Sequence, residues 1–308
     1  MNSSNHFPVL SNEVIEMLVT NLEGIYVDCT LGFGGHSSAI LKKINSKGFL
    51  IGLDLDSHAL NKAKEKLQRT KNKHFSLHHC SYIEFPRILS ELSIEKVDGF
   101  LFDLGISSYQ IDSEHRGFSY LKSGPLDMRF NPNQGRTAKE LLGSIKEKEL
   151  IKIIQIYAEV SHARKIAQRI ILKRNERKMN TTEDLKNAIF YSLNGCNNKI
   201  ISRVFQAIRI AVNNEINIFK ETLEMVPQYL NQGGKIAIIS FHSIEDRIAK
   251  HFFKDNIITD EKNYYNPKIL NHGYKFNVLT KKPIQATKKE LTINNRSRSA
   301  KLRLAELS

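Results

Sequence analysis

Apolar runs that read as strands alternate with segments of helical spacing over the first third of the chain. "VDCTLGFGGHSSAIL" (Val27 to Leu41) passes from an apolar run through three glycines into a helix-like run. "GFLIGLDLD" (Gly48 to Asp56) predicts a second buried strand, and "SHALNKAKEKLQR" a helix with Leu60, Ala63 and Leu67 on one face. A strand "HFSLHHC" (His74 to Cys80), a helix "IEFPRILSEL" and a strongly apolar strand "VDGFLFDLG" (Val97 to Gly105) follow. Strands that are apolar throughout, rather than on alternate positions, belong to a parallel sheet covered on both faces. The fold class this predicts is α/β and doubly wound.

The rhythm then changes. Residues 106–135 are rich in Gly, Pro, Ser and Asp and form a connection longer than a structureless one usually is. Helical patterns without strands come next: "TAKELLGSIKEKELIKIIQIYAEV", "HARKIAQRIILKRN", "TTEDLKNAIFYSL" capped by Thr181 or Thr182, and "ISRVFQAIRIAVNNEINIFKETLEMV". The sheet pattern returns at Gly233 to Phe241, followed by a helix "SIEDRIAKHFFK" and strands at Tyr274 to Thr280 and Ser299 to Leu307. The expected organisation is a discontinuous domain, 1–105 with 218–308, interrupted by a loop and helical unit, 106–217.

Bulk composition narrows the class. A chain of 308 residues, 41% hydrophobic and 25% charged, is ordinary soluble composition. No apolar run reaches the roughly 20 residues of a membrane span, and "MNSSNHFPVL" has no secretory pattern, so a cytoplasmic location is expected. Cys29, Cys80 and Cys196 are widely spaced, which fits reduced thiols and no metal site. The net charge of +14 is uneven. From Lys275 onward nine lysines and arginines face only Glu290 and Glu306, and "HARKIAQRIILKRNERK" holds seven against Glu176. Two such clusters point to a polyanionic partner.

Chemistry enters at the strand ends. In a doubly wound sheet the ligand lies beyond the carboxyl ends of the strands, beside the first glycine-rich turn. Gly32, Gly34 and Gly35 fit that turn, and Asp54 ends the second strand twenty positions after Gly34, where an acid takes a ribose hydroxyl. An adenosine-type cofactor is expected. The third glycine of the dinucleotide pattern is replaced by Ser37, and Asp28 before the turn suits a cationic sulfonium better than a pyrophosphate, which favours S-adenosylmethionine over NAD. Tyr82 is a candidate for the adenine face. Asp103 ends the fourth strand among apolar neighbours, a costly place for a carboxylate without a task. Its roles would be to hold a cationic end or to accept hydrogen bonds from an amine gaining charge. For His242 and Glu245, a capping box of Ser243 with Asp246 explains the local motif without catalysis.

Taken in order, "HFPVLSNEV", "DCTLGFGGHS", "DLGISSYQID", "RGFSYLKSGPLDMRF", "RVFQAIRIAVNNE", "ISFHSIEDRIAK" and "NNRSRSAKLRLAE" resemble the RsmH (MraW) family along nearly the whole chain. The resemblance implies a Rossmann-like class I methyltransferase domain and adds a substrate-binding role to the inserted loop and helical unit. It also implies methylation of the exocyclic N4 of a cytidine in small-subunit ribosomal RNA, with S-adenosylmethionine as donor. The implied donor contacts are Gly34, Gly35, His36, Asp54, Tyr82, Asp103 and Gln110, with Asp103 also catalytic. Three motifs depart from the family pattern: Tyr109 stands where proline is usual, Ala158 and Val160 replace a glycine and an acid, and Asn295 and Ser297 flank Arg296 in the tail. Many amino-methyltransferases carry Asp/Asn-Pro-Pro-aromatic after the fourth strand, whereas this chain has Asp103-Leu104-Gly105-Ile106. A target base must leave its stack, and Phe118, Tyr120 and Phe130 are candidates to receive it, with Arg164, Lys165, Arg169, Arg296 and Arg298 on phosphates. A non-catalytic ribosomal RNA-binding factor would share the basic clusters while ignoring the methyl donor; homodimerisation stays open.

Overall fold

The computed structural model describes residues 8–195, 197–256 and 274–308. Cys196, His6 and Phe7 lie outside the described residues. The chain divides into two compact units, Met1–Gly105 with Ile218–Ser308, and Ile106–Asn217.

The first unit is built on a seven-stranded sheet: β1 (Ile25–Asp28), β2 (Phe49–Asp54), β3 (Phe75–His79), β4 (Val97–Asp103), β5 (Leu230–Ser240), β6 (Phe276–Val278) and β7 (Lys301–Leu307), in the order β3-β2-β1-β4-β5-β7-β6. Strands β1 to β5 pair in parallel, and β7 is antiparallel to both neighbours. This is the doubly wound order with one reversed strand, β7, set between β5 and the edge strand β6. Alternate strand residues enter different cores. Val27, Ile51, Phe100 and Ile238 lie in one cluster; Tyr26, Leu50, Leu101 and Ile239 lie in the other. Both faces are covered, which is why the sequence shows unbroken apolar runs.

The late strands are shorter than the pattern predicts. Leu279 and Thr280 both direct their N–H groups at the Leu304 carbonyl, at 3.0 and 3.4 Å, so regular β6 pairing stops at Val278. Residues Asn295–Ser299 form a 3-10 turn before β7. Lys301 and Arg303 of β7 donate to Asp246 at 2.9 and 2.7 Å, so part of the tail's charge is internal. Among the described residues no helix is long and apolar enough to cross a membrane.

The second unit is helical, with its own buried core that includes Leu142, Leu150, Ile166, Leu185, Ile189, Val204 and Ile208. Two long helices expected from periodicity are each divided. The first becomes Ala138–Ser144, Glu147–Ile153 and a π-helical turn Ile154–Ala158. Ile145 and Lys146 are extended there, and the Arg174 guanidinium takes the Ile145 carbonyl at 2.7 Å. The second breaks at Asn214, a left-handed residue (φ 51°) between helices Asn198–Asn213 and Glu215–Met225; asparagine tolerates that conformation better than most. Thr181 rather than Thr182 caps the helix Thr182–Ser192, accepting from Asp184 N at 3.1 Å.

Of the aromatic residues expected to meet a base, Phe118 is buried and Tyr120 and Phe130 are partly buried. Phe118 stacks on Phe130 at 5.8 Å, Tyr120 sets its edge against Phe205 at 5.9 Å, and all pack on the helical core. The loop carrying them is clamped by Asn213, which accepts from Phe130 N and donates to the Met128 carbonyl. Met128 is itself fully buried at φ 61°.

Candidate functional site

Three carboxylates stand at the carboxyl ends of three adjacent strands: Asp54 on β2, Asp28 on β1 and Asp103 on β4. Each is held differently. Asp28 is 1% exposed, accepting from Thr30 N at 3.2 Å and from Ser37 Oγ at 2.6 Å. Its carboxylate is thus enclosed by the protein's own donors, so what it offers its surroundings is its charge rather than an open acceptor. Asp54 accepts from Gly32 N on one oxygen (2.7 Å) and from Asp56 N on the other (2.8 Å). An ionised carboxylate has about four acceptor sites, so two remain for hydroxyl donors.

Asp103 is the least compensated of the three. Its backbone N–H donates to Thr30 Oγ1 at 2.6 Å, while Oδ1 is buried without a hydrogen-bond partner. A quarter of its side-chain surface stays exposed, and Oδ2 lies 3.6 Å from His36 Nε2. Burial pushes its carboxyl up to about 8, helped by the negative charges of Asp28 and Glu245. Burial likewise raises Asp28 to about 6 against the Ser37 and Thr30 hydrogen bonds, and Asp54 to about 6 against the Asp56 and Gly32 N–H groups. Desolvation disfavours the charged form of an acid unless a cation offsets it, so the site is short of positive charge.

The glycine-rich turn runs between Asp28 and the helix Gly35–Lys43. Gly34 is left-handed (φ 70°) and caps that helix, with no side chain capping it. A Cβ on Gly34 would sit 3.2 Å from Ala63 Cβ, and one on Gly35 would sit 3.0 Å from Pro8 Cβ. These two glycines let protein approach protein. Beside Gly32 (φ 51°) the nearest atom is the Thr30 carbonyl at 3.9 Å, so the open space lies there.

His36, Asp103 and Asp28 are brought together, with Asp54 joined to the same turn through Gly32. Tyr82 sits in a one-turn helix past β3 and presents its ring edge to Phe102 at 5.7 Å. Gln110 belongs to the second unit, in helix Ser108–Asp112, where its Oε1 accepts from Ser107 N at 3.0 Å.

The capping box after β5 is one register earlier than expected. His242 and Glu245 form it, not Ser243 and Asp246. The Glu245 carboxylate, 3% exposed, accepts from Phe241 N (2.9 Å) and His242 N (3.3 Å). Thr30, Ser37 and Glu245 were not singled out as parts of the site. The signal for the first two was their position flanking the glycines; Glu245 was hidden by the neighbouring Ser243 and Asp246, which fit the capping pattern in sequence.

In the second unit Arg164 and Lys165 are exposed and Arg169 partly so. Arg174 is committed to backbone carbonyls and Lys173 to Glu176. In the tail Arg296 and Arg298 are exposed.

A family model described as the MraW methylase family matches residues 3–308. The chain belongs to the MraW methylase family. Among its relatives in the family, a ribosomal RNA small subunit methyltransferase H of Caldicellulosiruptor saccharolyticus is 43% identical over 310 residues, covering 98% of each chain. One of the same description from Clostridium botulinum is 43% identical over 307 residues, covering 97% of each. Another from Halothermothrix orenii is 42% identical over 311 residues, covering 98% of each.

Proposed function

We propose that this chain methylates the exocyclic N4 of a cytidine in small-subunit ribosomal RNA, with S-adenosylmethionine as donor, in the cytoplasm. The observation that carries the reading is the triad of acids at the ends of β2, β1 and β4, raised by burial and short of a cation beside an adenosine-type turn. A donor with a positive sulfur fits that shortage, and a pyrophosphate does not. Membership of a methylase family agrees with it.

When bound, S-adenosylmethionine supplies an electrophilic methyl group on a cationic sulfur. The chain's own residues do the rest. Asp54, fixed by Gly32 and Asp56, accepts from ribose hydroxyls. Gly34, Gly35 and His36 contribute the first turn of an uncapped helix, and Tyr82 borders the third strand end.

Asp103 faces the harder task. Cytosine N4 is a weak nucleophile because its lone pair is conjugated with the ring, so the amine must be turned and its developing charge met by a fixed acceptor. Thr30 fixes the Asp103 backbone, and the carboxylate, a quarter of whose side-chain surface stays exposed, accepts from the amine. In the unliganded chain that carboxyl, raised to about 8 by burial, holds a proton at neutral pH and gives it up when a cationic donor binds beside it. The helical unit, with Arg164, Lys165 and Arg169, and the tail with Arg296 and Arg298 take RNA phosphates.

Nucleoside mass spectrometry of small-subunit ribosomal RNA from cells lacking this chain tests the reading. Loss of an N4-methylated cytidine, restored by the wild-type chain and not by Asp103→Asn, is the expected result. An unchanged nucleoside profile would overturn it.

A further inference from the structure

We infer that Phe241 is the stacking platform for the target cytosine, supplied from the end of β5 in place of the aromatic residue that other amino-methyltransferases carry after β4. The inference rests on the proposed reading of Asp103 and names the residue that presents the base to it. A base drawn from its stack needs an aromatic or apolar surface to replace the lost stacking. Phe118 is buried, and the partly buried rings of Tyr120 and Phe130 are already engaged with Phe205 and with Phe118, in the unit that does not hold Asp103.

Phe241 has the required position. It follows β5 directly, and β5 pairs with β4 up to Asp103 opposite Ile239. Leu104 N donates to the Ile239 carbonyl at 3.0 Å, so the chain leaving Asp103 is tied to the strand that ends at Phe241. The Phe241 ring then lies over Gly105, where a Cβ would meet its Cδ2 at 3.4 Å. Gly105 is at φ 102°, so a side chain is disfavoured there on conformational grounds. One side of the ring packs on the core and the residue is half-buried, leaving surface to stack against.

The ring is also held in place. Glu245 is a positioning residue here: its buried carboxylate takes the Phe241 and His242 N–H groups, and His242 Nε2 lies 3.0 Å from its other oxygen. The negative charge of that buried carboxylate adds to the rise of the Asp103 carboxyl. That cost is consistent with a turn whose geometry matters.

The test uses the full chain with small ribosomal subunits from cells lacking it. In Phe241→Leu, which stays apolar against Gly105, kcat/KM for the subunits falls about 5- to 150-fold, the range of one base–aromatic stack. In the same variant the S-adenosylmethionine dissociation constant, read by calorimetry, stays within about twofold of wild type. Phe241→Tyr, which keeps the ring, retains the wild-type rate. Glu245→Leu follows Phe241→Leu, whereas Glu245→Gln, which keeps an oxygen for the two N–H groups, loses less. A wild-type kcat/KM in Phe241→Leu while Asp103→Asn is inactive overturns this inference and leaves the parent reading intact. So does an equal loss of donor affinity, which would place Phe241 in the cofactor site. Wild-type rates in both variants overturn the reading of Asp103 and this inference together.

Discussion

Because burial raises Asp103 to about 8, with no lysine or arginine paired to it among the described residues, the affinity for S-adenosylmethionine should depend on pH where that for S-adenosylhomocysteine does not. The two ligands differ at sulfur, cationic in the first and neutral in the second. A cation favours the ionised carboxylate, so binding pulls the Asp103 pKa down and releases its proton. With a free-protein value of about 8, roughly half of Asp103 is ionised at pH 8 and about one part in a hundred at pH 6. If the complex requires the ionised form, the ratio of the two affinities rises about 50-fold from pH 6 to 8, or about 2.3 kcal/mol. The groups facing Asp103 are His36, Asp28 and Glu245. Asp28 and Asp54, at about 6, add to the slope only toward the acid end. Calorimetry in buffers of different ionisation enthalpy should record nearly one proton released per S-adenosylmethionine bound at pH 7, and far less for the homocysteine product. Asp103→Asn should flatten the ratio. A ratio independent of pH in the wild type, or a slope that survives in Asp103→Asn, would refute the assignment of Asp103 to the cation.

Four further outcomes follow from the same geometry. Asp54→Ala should weaken S-adenosylmethionine binding about 10- to 150-fold, the loss of a charge-assisted hydrogen bond of about 1.5–3 kcal/mol; unchanged affinity by calorimetry would reject Asp54 as the ribose acid. Asp103→Asn should melt higher than wild type without ligand at pH 8 and lose that advantage toward pH 4, because an acid with a raised folded pKa gives up stability as pH rises from its unfolded value through its folded one. Arg303→Leu should lower stability to urea by about 3 kcal/mol, the low end for breaking a buried pair, since Lys301 still reaches Asp246; Lys281→Ala, at an exposed position, should leave the midpoint unmoved. Affinity for small-subunit RNA should fall steeply with salt, and neutralising Arg164, Lys165 and Arg169 together should reduce the log–log slope by about 2 to 3, while a flat salt profile would remove these residues from the RNA surface.

The sheet was legible because both of its faces are buried, which writes each parallel strand as an unbroken apolar run. The acids at the strand ends were legible for the complementary reason, a carboxylate adjoining such a run. Purposes were harder to read than positions. Gly34 and Gly35 look like room for a ligand in one dimension, yet the atoms that exclude a side chain come from Ala63 and Pro8, which only the fold brings near. Phe118, Tyr120 and Phe130 sit in a polar, turn-rich stretch that suggests exposure, but the clamp by Asn213, more than 80 positions away, turns that stretch inward. The cap after β5 was misplaced by one residue because Ser-x-x-Asp is the commoner pattern. A buried Glu245 opposite His242 follows from where β5 ends, and Asp246 is drawn instead to β7.

That exchange of partners explains the charge logic of the site. Asp246, one residue from Glu245, is given Lys301 and Arg303, and its carboxyl is held below the usual range by those two cations in spite of burial. Asp103, on the neighbouring strand, has no such partner and moves the other way. The fold thus compensates an acid fully when its task is to anchor the last strand, and withholds compensation from the acid at the end of β4. An arginine beside Asp103 would remove the cost, but it would also occupy the space and cancel the field that a cationic donor needs. The same holds in weaker form for Asp28 and Asp54, whose hydrogen bonds come from neutral donors that orient them without neutralising them. On the proposed reading, stability given up by the unliganded chain would be returned on binding by a ligand that brings positive charge, and discrimination between methyl donor and spent product should then rest on these carboxylates rather than on the shape of an adenosine site common to both ligands.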